Sequence, residues 1–84
     1  MPRLSDNLRT TYTADGAVVL DIVRGRIFTF NQTGSRILQL VGSGMNSREI
    51  SLTLVREFSA EPENADADTV EFLGLLHQHA LLEY

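Results

Sequence analysis

The chain contains no cysteine. That absence removes disulfides, thiolate metal sites, iron–sulfur ligation and cysteine nucleophiles together, so the fold must hold by packing alone. Lysine is absent too: all seven basic residues are arginines, and none follows Arg56, which leaves the last 28 positions without a lysine or arginine. Glu61, Glu63, Asp66, Asp68, Glu71 and Glu83 stand there uncompensated, in a chain of formal net charge −4. Such a surface repels phosphate instead of releasing counterions from it, which counts against nucleic acid as a partner. No apolar run approaches the ~20 residues needed to cross a bilayer. The opening MPRLSDNLRT also lacks the roughly 7–15-residue apolar segment of a secretory signal, so the expected compartment is the cytoplasm and no membrane partner is expected.

What is present is an ordinary globular composition, 43% hydrophobic and 21% charged over 84 residues. This predicts one domain over 1–84, with a core from about 10 to 82, burying roughly 60–65% of the surface its unfolded chain exposes. Two glycine turns organise the first third. Asp15-Gly16 separates TTYTA from AVVLDI, and Asp-Gly is a strong hairpin signal because both positions tolerate positive φ. Gly25 separates AVVLDI from RIFTF in the same way. In the second strand Val18, Leu20 and Ile22 alternate with Val19 and Asp21. In the third, Phe28 and Phe30 alternate with Ile27 and Thr29. Three antiparallel strands from Thr10 to Phe30 are expected, one face meeting the core.

After Asn31 the apolar period changes from two to about 3.6. Asn31 can cap a first helix carrying Ile37, Leu40 and Val41 on one face, with Gly42 and Gly44 as its stop. Asn46 and Glu49 have capping-box spacing, and Ile50, Leu54 and Phe58 follow at four-residue steps to make a second helix. SAEPEN interrupts the pattern at Pro62. A third helix is expected to begin near Ala65, with acids at the positive end of its dipole, and to run almost to Tyr84. Its polar arc of Glu71, Gly74 and Gln78 is narrow, while Val70, Phe72, Leu73, Leu75, Leu76 and Leu82 cover well over half the circumference. One explanation is a central helix buried on most sides. The other is a groove beside the sheet, lined by Val70, Leu73 and His77, in which an apolar segment docks.

No catalytic constellation can be assembled, and no cofactor is implied. His77 and His79 point about 200° apart on a helix and lack an HExxH context, so no metal site is expected. Gly34-Ser35-Arg36 is not a nucleophile elbow, and helix capping accounts better for Thr33, Ser35 and Ser47. Asp66 and Asp68 lack the glycine and distal glutamate of a calcium loop. Gly42-Ser43-Gly44 is too short for a phosphate loop. The order of three strands then three helices gives an α+β, winged-helix-like layout with the sheet first. Its third helix begins with acids where a DNA-reading helix needs donors, so a regulator is the weaker reading. A homodimer paired through strand edges is a further alternative.

DGAVVLDIVRGRIFTFNQTGSRILQLV, the EI of SREISLTLVREF and DTVEFLGLLHQHALL resemble the PqqD-like family of recognition elements for ribosomally made, post-translationally modified peptides. The resemblance spans about Asp15 to Leu82. It is carried by Leu20-Asp21, Phe30-Asn31 with Thr33-Gly34 and Ile37-Leu38, and Asp68 with Phe72-Leu73 and Leu76. Ala80 departs from the glycine usual before the final Leu-Leu pair. The resemblance implies a non-catalytic protein that binds the leader segment of a precursor peptide as a strand added to its third strand, beside the third helix, and presents it to modifying enzymes. An exposed strand edge suits that role, since an extended peptide can satisfy its free N–H and C=O groups. The implied site pairs the leader with the backbone of Arg26, Ile27, Phe28, Thr29 and Phe30. Val70, Leu73 and Leu76 form its apolar floor, and Asp66, Thr69 and His77 make polar contacts. Within the family, the compact form and the short FNQTG junction look most like lasso peptide maturation with a separate leader peptidase. Pyrroloquinoline quinone assembly or another radical-enzyme peptide pathway is the alternative setting.

Overall fold

The computed structural model describes residues 3–83. A short strand β1 (Arg3–Leu4) precedes β2 (Leu8–Thr13), β3 (Gly16–Asp21) and β4 (Arg26–Phe30); helices α1 (Gln32–Gly42), α2 (Ser47–Phe58) and α3 (Pro62–Gln78) follow, then β5 (Leu82–Glu83). The fold is α+β: β2, β3 and β4 form an antiparallel sheet in that order, and the three helices come after it. The strands β1 and β5 are not legible in the sequence. They pair antiparallel, and the Arg3 guanidinium donates to the Glu83 carboxylate at 3.1 and 2.9 Å.

The first hairpin turns one residue earlier than Asp15-Gly16 suggests. Thr13 pairs with Gly16, so Ala14 and Asp15 occupy the turn and Gly16 opens β3 at φ 155°. A Cβ on Gly16 would stand 1.8 Å from the Phe30 carbonyl oxygen, so only glycine fits where β3 meets the end of β4. On β3, Ala17, Val19 and Asp21 turn inward, and Val18 and Leu20 face outward.

The first two helix starts are as expected. The Asn31 side chain accepts the Gly34 N–H at 2.9 Å, and Asn46 and Glu49 form a reciprocal capping box. Helix α3 begins three residues before Ala65, because Pro62 opens the helix instead of preceding it; a first-turn residue has no intrahelical use for its N–H. It ends at Gln78, well short of Tyr84, which lies outside the described residues. Ala80 takes φ 60°, its N–H donates to the His77 carbonyl at 3.0 Å, and the Leu81 N–H donates to the Leu76 carbonyl at 2.8 Å. Those two bonds close a Schellman turn with Ala80 at its left-handed position, which explains why glycine is usual there in the family the sequence resembles.

Beneath the sheet, Ala17 and Val19 pack with Ile37, Leu38, Leu40 and Val41 of α1, Ile50 and Leu54 of α2, and Ala65, Leu73 and Leu76 of α3. Each aliphatic side chain fully buried there contributes about 1.5–3 kcal/mol. Helix α1 lies against β3, and α2 packs on α3. No described helix is long and apolar enough to cross a membrane.

Candidate functional site

Which backbone groups of β4 are free follows from the ladder. The Ile22 N–H donates to the Asn7 carbonyl at 3.1 Å, one step beyond the Leu8–Asp21 pair. Hydrogen bonding alternates along an antiparallel strand, so Leu20 and Val18 bond toward β2 while Asp21, Val19 and Ala17 bond toward β4. The Gly25 N–H, donated to the Asp21 carbonyl at 2.8 Å, agrees. The partners of those residues, Arg26, Phe28 and Phe30, therefore commit their backbone groups to β3. Ile27 and Thr29 are left with N–H and C=O groups at the open edge, since β4 is the last strand of the sheet.

The inward side chains of β4 form one wall of a groove whose other wall is α3. The groove has two parts. An open cavity of about 440 Å³ is lined by Thr29, Phe30, Asn31, Thr33, Asp68, Glu71 and Phe72, among others. A narrower, almost wholly apolar hollow of about 150 Å³ lies between Phe28, Phe30, Leu75, Leu76, His79 and Leu81. Rings cross the gap at both parts: Phe30 meets Phe72 edge-on with centroids 5.4 Å apart, and Phe28 lies 5.5 Å from His79. Gly34 lets α1 approach here, for a Cβ on it would come within 2.9 Å of the Phe72 ring.

At the turn end of β4 a buried carboxylate organises two arginines. Asp21 is 1% exposed and accepts the Arg24 N–H at 3.1 Å, Arg26 Nη2 at 3.0 Å and Arg24 Nη1 at 3.4 Å. Burial alone pushes this carboxyl up, but the three hydrogen bonds and the nearby Arg24 charge together hold it below the usual carboxylate range.

The wall of α3 is formed by Asp68, Glu71, Phe72, Leu75 and His79, positions that recur at three- and four-residue steps along one face. Of the helix residues assigned to the implied leader site, only Leu76 lines the groove. Thr69 is 0% exposed and Leu73 5%, both turned into the core, and Asp66 accepts the Ser51 hydroxyl of α2. Val70, 64% exposed, and His77 lie on solvent-facing sides and line neither cavity. An apolar floor of Val70, Leu73 and Leu76 is thus replaced in the geometry by Phe72, Leu75 and Leu76. The signal that could have found these residues is the spacing Asp68, Phe72, Leu75, His79. No group of three or more histidine or acidic side chains able to hold a metal occurs among the described residues.

Three solved structures share the architecture. TbiB1, solved in complex with the TbiA(beta) leader peptide, superposes with a TM-score of 0.90 at 30% identity, over 96% of this chain and 94% of its own. A lasso peptide synthetase B1 complexed with its leader peptide gives 0.88 at 23% identity, over 99% and 98%. The PqqD part of Methylobacterium extorquens PqqCD, described as a functional and stand-alone recognition element for ribosomally synthesised and post-translationally modified peptides, gives 0.80 at 26% identity, over 99% and 88%. A comparison with curated proteins returns no match. The family model for coenzyme PQQ synthesis protein D matches residues 16–82, and this chain belongs to that PqqD family.

Proposed function

We propose that this protein is a non-catalytic recognition element that binds the leader segment of a ribosomally synthesised precursor peptide. The observation that carries the reading is the edge of β4, where Ile27 and Thr29 turn backbone groups that have no partner among the described residues to the open side, beside an apolar groove. An added strand satisfies those groups, and its alternate side chains enter the hollow between Phe28, Leu75 and His79. The 30% identical TbiB1, solved with a leader peptide bound, supports the same use of the fold. The wall of α3 facing that edge bears Asp68 and Glu71, so a phosphate backbone is the wrong ligand for it.

The partner acting on the leader is a separate modifying enzyme, with the leader peptidase of a lasso-type pathway the favoured case and pyrroloquinoline quinone or other radical-enzyme maturation the alternative. The outer sheet face supports an enzyme partner. Val18 and Leu20 are 39% and 38% exposed there, Ile27 is 69% exposed, and Ile22 and Val23 extend the apolar surface into the adjoining turn. A strand added to β4 would lie next to that surface and bring the leader to whatever docks on it.

The test starts with selection from a displayed peptide library, followed by amide exchange with the selected peptide at saturation. Ile27 and Thr29 are expected to become protected, because a new ladder occupies their N–H groups. Thr29→Pro removes an N–H that the fold does not use, and is expected to weaken binding about tenfold or more while leaving the domain folded. Failure to select any peptide, combined with tight, steeply salt-dependent binding of duplex DNA, would identify a winged-helix regulator instead. Protection of Ile27 and Thr29 that rises with protein concentration alone would indicate edge pairing between copies.

A further inference from the structure

The side chain of Arg26 does something that the backbone of β4 does not. From its place opposite Asp21 it sends Nη2 to two acceptors, the Asp21 carboxylate at 3.0 Å and the His79 carbonyl at 2.6 Å. His79 is the residue that caps α3, and its carbonyl lies at the negative end of the helix dipole, where a cation is favoured. The guanidinium also lies 5.1 Å over the Phe28 ring, which itself faces the His79 ring. One arginine therefore ties the buried carboxylate of β3 and an inward ring of β4 to the last turn of α3. Two of the residues it holds, Phe28 and His79, line the apolar hollow.

We propose that Arg26 is a positioning residue for leader binding: by lashing the C-terminal end of α3 to the β3–β4 hairpin, it fixes the distance between the two walls of the groove and with it the size of side chain that the hollow accepts. The proposal rests on the leader-binding reading above. The neighbouring Arg24 supplies an internal control. It bonds the same Asp21 carboxylate, from Nη1 at 3.4 Å, but its side chain makes no bond to α3 among the described residues. Loss of either arginine removes a positive charge near Asp21, whereas only loss of Arg26 frees the helix end.

The experiment compares wild type, Arg24→Met, Arg26→Met and Arg26→Lys. The probe is the peptide that wild type selects from a displayed library, made also with its hollow-filling residue changed to alanine, leucine or tryptophan. Wild type is expected to rank these peptides steeply. Arg26→Met should bind the selected peptide about tenfold more weakly and compress the ranking. Arg24→Met should keep both, and Arg26→Lys should recover part of both because an ammonium can bond the same two oxygens. Amide exchange at Ala80 and Leu81 should quicken in Arg26→Met only. If Arg26→Met fails to fold, the double variant Asp21→Asn/Arg26→Met removes the charge of a buried carboxylate left with Arg24 alone and carries the same comparison. Equal affinity and ranking for Arg24→Met and Arg26→Met would overturn the lash while leaving leader binding standing. Failure of wild type to select any peptide would instead remove the reading beneath it.

Discussion

Helix α3 has two apolar faces, and they differ in what covers them. Ala65, Thr69, Leu73 and Leu76 are buried against the rest of the molecule. On the other face, Phe72 is half-buried and Leu75 is 46% exposed, with Asp68 and Glu71 at the rim and His79 beyond. Hydrophobicity does not separate these faces, since a leucine stands at the centre of each. What separates them is the neighbour: α2 and the core fill the space over Leu73, while the strand facing Leu75 stands off and leaves a groove. A helix apolar on most sides thus serves two purposes, stability on one side and an uncovered ligand wall on the other.

The strongest way to break this comparison is to truncate the two leucines in parallel. Leu73→Ala removes a side chain from a packed site and should cost about 2–5 kcal/mol of folding stability in urea or thermal melts. Leu75→Ala should leave stability within roughly 0.5–1 kcal/mol of wild type, because nearly half of the residue is already in water. Its effect should show in titration with a selected peptide, as a loss of about tenfold in affinity. A Leu75→Ala protein that melts like Leu73→Ala and binds peptide normally would show that the groove wall is core after all.

The difference between these faces is not readable from the chain, and the reason is physical. Local signals are legible: Asn31, Asn46 and Glu49 cap their own helices through bonds three residues away, and the alternation in AVVLDI and RIFTF gives strands whatever packs on them. A helix face is assigned by a neighbour distant in sequence. With Val70, Phe72, Leu73, Leu75 and Leu76 spread around α3, the 3.6-residue period has no clear maximum to point with. Sequence pattern leaves open a helix buried on most sides or a groove beside Val70, Leu73 and His77, whereas the groove lies beside Leu75 and His79. Pro62 resembles a break because proline ends helices from within, though it also begins them. The β1–β5 pair consists of two-residue strands at opposite ends of the chain, too short for any period.

The smallest expected effect sharpens the same contrast from the buried side. The family resemblance implies a polar contact between Thr69 and the leader, yet this side chain is fully buried and its hydroxyl has no hydrogen-bond partner among the described residues. An unsatisfied buried hydroxyl is destabilising, because the group lost its bonds to water on folding and gained none. Thr69→Val replaces that hydroxyl with a methyl of similar size on a side chain branched in the same way, so the packing is nearly conserved. The variant should gain about 1 kcal/mol of stability and bind the selected peptide with unchanged affinity. Thr69→Ser keeps the hydroxyl and deletes a methyl, so it should lose stability on the scale of one buried methyl group, again without a change in affinity. If Thr69→Val instead weakens peptide binding while folding normally, the hydroxyl reaches the ligand and the division of α3 into a core face and a groove face is drawn in the wrong place.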